Sequence, residues 1–310
     1  MNFYQEFETE LTQVFAETEM IISKFPEPLN KEGLAYLDKF NVLKEGSTNN
    51  YICYLLPFWL MDMLPIDRET CIHLSRTNIL AMLYFFIIDD RMDSKMLQRK
   101  TQLPLAHLLY MKFHESCRQL FPVTSTFWSY NSTYMTVWAE AVSNEHQLNF
   151  MKNPLHIARK ASPVKLISTS ACLLSGKEDL VSILSLAIDH VLTTLQMADD
   201  WVDWQDDVLE GNYNCLAQFI HSKNPTNNNE EYSHNRIKQA LYLYDQLKPY
   251  TQVALNQHKK LISLNVPIPH LIEFHQSIVD YLLAEASKIE VARKSLALGG
   301  LNYWLSKKRD

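Results

Sequence analysis

Apolar residues recur three and four positions apart through nearly every stretch of the chain. The interruptions are proline or Asn/Ser clusters rather than the two-residue turns that join hairpin strands. This pattern predicts helices over residues 2–23, 50–64, 67–94, 104–121, 124–150, 153–175, 178–210, 231–247, 249–263 and 268–297, and no strand ladder. Local signals support some of the starts: Asp67 precedes Thr70 by three positions as an acidic cap, and Asn153-Pro154 places proline in a first turn. The polar, proline-broken run from His221 to Glu231 (HSKNPTNNNEE) predicts a surface loop. With no internal repeat and no linker long enough to separate domains, the expected architecture is all-α. It is one domain, residues 1–310, built as a bundle of about ten or more helices.

Composition agrees with this picture and narrows the function. Only 6 of 310 residues are glycine and 47% are hydrophobic, which favours helices joined by short connections around a sizeable core. The net charge is −6, and the densest basic group is Lys307, Lys308 and Arg309 at the C-terminus, so nucleic acid is not an expected partner. Five widely spaced cysteines, Cys53, Cys71, Cys117, Cys172 and Cys215, form no CxxC pair and read as reduced, buried residues. The opening MNFYQEFETELTQ has acidic residues where an export signal has basic ones, so a cytoplasmic location is expected. The longest apolar run, Ile79 to Ile88, is about half a bilayer span. It reads as a core helix, and no stable membrane insertion is expected.

Two acidic clusters carry the candidate chemistry. In NILAMLYFFIIDDRMDSK, an uncharged run from Asn78 to Ile88 leads into Asp89, Asp90 and Asp93 at the end of the same helix. Asp89 and Asp93, four apart, project from one face, where they repel each other and where the helix dipole disfavours anions. In LQMADDWVDWQDDVLEGNYN, Asp199, Asp203 and Asp207 fall at i, i+4 and i+8, with Asp200 and Asp206 beside them. Rows of carboxylates on apolar, aromatic helices call for a hard cation. Mg²⁺ binds through one or two carboxylates and leaves its other positions to water and phosphate. A solvated acidic helix end is the plain alternative for either cluster alone; the pair, without the glycine-punctuated loop of an EF-hand, favours metal binding.

With these two motifs the sequence resembles the class I terpenoid synthase superfamily, which includes terpene cyclases and trans-isoprenyl diphosphate synthases. DDRMD matches the first motif, DDxxD, at Asp89, Asp90 and Asp93. DDWVDWQDD corresponds to the second metal motif, with Asp199, Asp200, Asp203 and Asp207 at its four positions, in an all-aspartate form closer to the prenyl synthases. The resemblance implies a class I isoprenoid synthase fold around a central apolar cavity, with three Mg²⁺ ions and a diphosphate held between the two clusters. A homodimer would be ordinary for the family. HIARKASPVKLISTSACLLSG resembles the helix that carries a diphosphate-sensing basic residue, which places Lys160, with Arg159 beside it, in a catalytic role and Lys165 near the substrate. Tyr303 is the counterpart of a closing C-terminal residue, although no RY dipeptide is present, and Phe85, Phe86, Trp138 and Trp201 are candidates to line the cavity.

The resemblance leaves two reactions. Chain-elongating synthases carry an N-terminal GGKRxRP-like segment for isopentenyl diphosphate, whereas NKEGLAYLDKF has one glycine and no arginine. The expected function is therefore a terpene cyclase, a carbon–oxygen lyase that ionises farnesyl or geranylgeranyl diphosphate. The alternatives are a trans-isoprenyl diphosphate synthase or other prenyltransferase, and a non-catalytic cation-binding helical protein.

Overall fold

The computed structural model describes residues 3–48, 50–93, 100–147, 149–223 and 233–297. Among the described residues there is no strand, and the helices in chain order are α1 (Glu8–Ile22), α2 (Leu29–Phe40), α3 (Tyr51–Trp59), α4 (Arg68–Asp93), α5 (Gln102–Leu120), α6 (Phe127–Ser143), α7 (Lys165–Leu174), α8 (Val181–Glu210), α9 (Cys215–Lys223), α10 (His234–Tyr242), α11 (Leu247–Ser263) and α12 (Pro269–Ala297). The all-α expectation holds. The backbone groups into two compact units, one of Met1–Trp138, Ser162–Leu186 and Val266–Leu271, the other of Ala139–Ala161, Ala187–Asn265 and Ile272–Asp310.

In the first unit α4 is the central helix, packed against α1, α3, α5 and α7. Its buried Cys71, Leu74, Ile79, Leu80, Leu83 and Ile87 supply the contact surface. Each large aliphatic side chain so removed from water contributes about 1.5–3 kcal/mol. Proline at position 57 inside α3 has no N–H to give the carbonyl of Cys53, four residues earlier. The amide of Asn78 on α4 donates to that carbonyl instead at 2.6 Å, and Ser75 donates to the carbonyl of Tyr54 at 2.7 Å. The helix break is thus satisfied from the neighbouring helix.

The predicted helices correspond to α1 and to α3–α8 and α10–α12, while α2 and α9 were not expected. In α2 the obstacle is Gly33, a poor helix former. The structure requires it there, because a Cβ at Gly33 would lie 2.7 Å from Ile22 Cγ2 and 3.2 Å from Leu105 Cδ1. The stretch expected as one helix over 153–175 is a 3₁₀ segment, Pro154–Val164, with a non-helical residue at Ala161, followed by α7.

The second unit is organised around α8. Met197, Trp204, Leu216, Ile220, Leu241, Tyr250 and Leu282 form its apolar core. A buried polar network joins three of its helices: His190 of α8 meets Gln257 of α11 at 2.7 Å, His275 of α12 meets Thr194 of α8 at 2.7 Å, and the Nδ1 atoms of His258 and His275 lie 2.9 Å apart. Two helical stretches, Arg68–Met92 and Glu178–Glu210, are long and apolar enough to cross a bilayer by composition; the apolar window of each is 67% and 56% buried within the protein, as core helices are.

Candidate active site

In the first unit, the apolar run of α4 ends on Asp89 and Asp90. Asp89 is half-buried. Asp90 is exposed and accepts a hydrogen bond at 3.0 Å from the hydroxyl of Tyr36 on α2. A helix that the sequence pattern did not announce therefore holds one member of the first motif. Asp93 is the last residue of α4, and its side chain lies outside the described residues.

In the second unit, the helical period sorts the second motif into two faces. Met197, Asp200, Trp201 and Trp204 point inward and are buried, while Asp199, Asp203 and Asp206 are exposed and Asp207 is half-buried. Asp199, Asp203 and Asp207 thus form a row along two turns of α8, and Asp200 sits about 100° round the helix from Asp199. Asp200, expected among the metal ligands with the rest of the motif, is 4% exposed. Its carboxylate accepts from the backbone N–H of Cys215 at 2.6 Å and from the amide of Gln196 at 2.7 Å.

The row is electrostatically loaded. Protein crowding and the charges of Asp200, Asp203 and Asp207 push the Asp199 carboxyl up to about 6, against the opposing pull of Lys160. Crowding also raises Asp203 and Asp207; a hydrogen bond from Asn214 partly offsets the rise at Asp207. Solvent still reaches Asp199, so screening limits the energy involved, and it is the direction that matters: crowding and like charges along the row outweigh the pull of Lys160. Among the described residues no three His, Cys, Asp or Glu side chains converge to enclose an ion. Mg²⁺ needs no such enclosure, since it takes one or two carboxylates and completes its shell with water and phosphate oxygens. A row of hard oxygen donors whose like charges repel one another fits that ion.

The three basic residues go to different places. Lys160 lies within electrostatic reach of Asp199, Asp200 and Asp207, lowering all three; its ammonium pairs with Glu145 at 2.6 Å and sits 6.0 Å from the ring centre of Tyr213. Arg159, next in sequence, pairs with Glu140 at 2.9 Å. Lys165 belongs to the first unit, where it is buried with its ammonium 5.1 Å from the ring centre of Tyr134. Of the three, Lys160 is the one the second unit brings to the acidic row.

No protein-family model and no curated protein matches the chain. Among solved structures, a geranylgeranyl pyrophosphate synthase from Lactobacillus brevis is similar, with a TM-score of 0.70 and 15% sequence identity over 91% of this chain and 99% of that one. The chain has the isoprenyl diphosphate synthase fold. The resemblance to the class I terpenoid synthase superfamily, drawn from DDRMD and DDWVDWQDD, agrees with it.

The aromatic candidates divide within this isoprenyl diphosphate synthase fold. In the first unit, Phe85 and Trp138 meet edge to face at 5.0 Å, and Phe86 packs against Phe40 at 5.4 Å. In the second unit, Trp201 is buried in the apolar core. Tyr303 lies outside the described residues, as do residues 224–231 of the expected surface loop. The sequence reading overlooked Tyr36, Glu145, Gln196 and Asn214. Only Asn214 had a usable signal: it follows a helix-ending glycine and precedes an apolar stretch, as N-cap residues do.

Proposed function

We propose that this chain is a Mg²⁺-dependent enzyme acting on an isoprenoid diphosphate. The observation that carries the proposal is the Asp199/Asp203/Asp207 row with Lys160 in electrostatic reach, on a chain with the isoprenyl diphosphate synthase fold. Asp199, Asp203 and Asp207 would hold Mg²⁺ in the second unit, with Asp89, Asp90 and Asp93 as the first-motif counterparts. When bound, Mg²⁺ ions supply positive charge that stabilises a departing diphosphate. Lys160 adds a fixed cation, oriented by Glu145, where negative charge builds up on the leaving group. Aromatic faces such as those of Phe85 and Trp138 can stabilise positive charge on the hydrocarbon and keep water away.

Between the two reactions, we place the prenyl transferase first: joining an allylic diphosphate to isopentenyl diphosphate. The solved structure of similar fold is a geranylgeranyl pyrophosphate synthase, and the all-aspartate second motif points the same way. This reverses the order expected from sequence. The cyclase stays as the second reading because the N-terminal region has no GGKRxRP-like segment.

Incubation of the purified protein with Mg²⁺ and farnesyl or geranylgeranyl diphosphate, with and without isopentenyl diphosphate, separates the readings. A longer prenyl diphosphate formed only with isopentenyl diphosphate supports the transferase. A hydrocarbon or alcohol formed from one diphosphate alone supports the cyclase, and no turnover of either substrate under any condition refutes both.

A further inference from the structure

The corner where α8 turns into α9 is built on one side chain. Gly211, at φ +78°, ends α8, and the N–H of Asn212 reaches back to the carbonyl of Asp207 at 2.8 Å, closing the last turn. Asn214 follows, buried, as the N-cap of α9: its Oδ1 accepts from the N–H of Ala217 at 3.0 Å. Its amide nitrogen donates twice, to the backbone carbonyl of Asp200 and to Oδ2 of Asp207, both at 2.8 Å. The side chain thereby joins the start of α9 to two points on α8 about two turns apart and fixes the rotation of one carboxylate in the row.

Beneath it, Asp200 receives the N–H of Cys215 at the first position of α9, and the hydroxyl of Tyr250 bridges from Cys215 Sγ, 3.0 Å away, to the carbonyl of Met197 at 3.1 Å. Every link in this set lies in the second unit, and none depends on a bound ion.

We propose that Asn214 is a positioning residue for the metal-binding row, acting through Asp207, and that Asp200 is the buried anchor of the same corner rather than a fourth ligand. The inference rests on the proposed function, since it assigns how that row is held. By holding Oδ2 of Asp207, Asn214 sets the direction in which the remaining oxygen presents itself to a cation. Partners that orient a ligating carboxylate change metal affinity by about 10–100-fold when removed.

The test measures binding rather than turnover: half-saturating Mg²⁺ in the presence of inorganic pyrophosphate, by calorimetry, for the wild type, Asn214→Ser, Asp207→Asn, the double variant and Asp203→Asn. Serine keeps the cap of α9 and loses both amide donors. Asn214→Thr serves in its place should the serine variant melt early in EDTA. We expect Asn214→Ser to raise half-saturating Mg²⁺ by about 10–100-fold in the wild-type background and by less than about threefold in the Asp207→Asn background. The same factor in both backgrounds, or a change within about twofold in the wild type, overturns the positioning role. In EDTA, Asp200→Ala should lower the melting midpoint by about 5 °C or more while Asp203→Ala should not lower it; equal midpoints overturn the anchor. Loss of binding in Asp203→Asn but not in Asn214→Ser sinks this inference and leaves the proposed function standing. Absence of Mg²⁺ and pyrophosphate binding in the wild type sinks both.

Discussion

The histidine network of the second unit makes a quantitative prediction about acid stability. His275 has no exposed surface. The hydroxyl of Thr194 donates to the carbonyl of His190 at 3.3 Å, so it accepts from Nε2–H of His275, and Nδ1 of His275 in turn accepts from Nδ1–H of His258. Both ring nitrogens are committed in the neutral state. A further proton on this arrangement sets two N–H groups against each other at 2.9 Å. Burial, followed by the charges of His258 and His190, brings His275 down to about 3 from an ordinary 6.5, and burial also lowers His258 and His190. Asp280 faces His258, and Asp189 and Lys260 face His190.

The unfolded chain takes up a proton at His275 as pH falls through 6.5, while the native protein refuses it until about 3. Its contribution is therefore complete above pH 6.5 and is lost progressively below, at about 1.4 kcal/mol per pH unit, or about 2 kcal/mol by pH 5. Asp199 works in the opposite sense, because a raised carboxyl favours the native state as pH falls through about 6. Comparison with a variant isolates the histidine. His275→Gln keeps a donor for Thr194 and removes the titration. Guanidinium unfolding followed by tryptophan fluorescence at pH 7.5, 6.5, 5.5 and 5 should show the wild-type advantage over the variant shrinking by about 2 kcal/mol between pH 6.5 and 5. Parallel pH curves for the two proteins would refute the reasoning.

Two other perturbations test the packing and the site. Gly33→Ala should destabilise the first unit by about 1–3 kcal/mol, since Ile22 already occupies the space of a Cβ; a melting midpoint at or above the wild-type value would show that α1 and α2 separate without cost. Lys160→Met should reduce kcat about 10²–10³-fold with little change in the melting midpoint, whereas Arg159→Met, whose partner is Glu140, should change kcat far less; similar losses in both would deny Lys160 its particular place.

Much of the fold was legible because its signal is periodic. The burial of Met197, Trp201 and Trp204 opposite Asp199, Asp203 and Asp206 follows directly from the 3.6-residue repeat. The same repeat sets Asp200 only about 20° round the helix from Asp207, seven residues on, so periodicity alone does not divide them, and the motif resemblance counts both among the metal ligands. A buried aspartate is stable there only because Cys215 and Gln196 donate to it, and that pairing depends on where the chain goes after Gly211. Helix α2 was hidden by Gly33, a poor helix former that the close approach of Ile22 requires, and the end of α9, His221–Lys223, falls in the polar run that reads as a loop. Among the basic residues, Lys160, Arg159 and Lys165 look alike in sequence. The non-helical break at Ala161 separates Lys165 from the other two, while Arg159 and Lys160, adjacent in the 3₁₀ segment, leave it about a third of a turn apart and reach Glu140 and Glu145.

The most direct measurement of the central claim is diphosphate release from farnesyl and geranylgeranyl diphosphate, with isopentenyl diphosphate present, by the wild type and by the double variant Asp89→Ala/Asp203→Ala, in Mg²⁺ and in EDTA. The account predicts release by the wild type in Mg²⁺ alone and none by the double variant, with helicity retained because both residues sit in like-charged clusters. Release by the double variant at the wild-type rate, or by the wild type in EDTA, would contradict it.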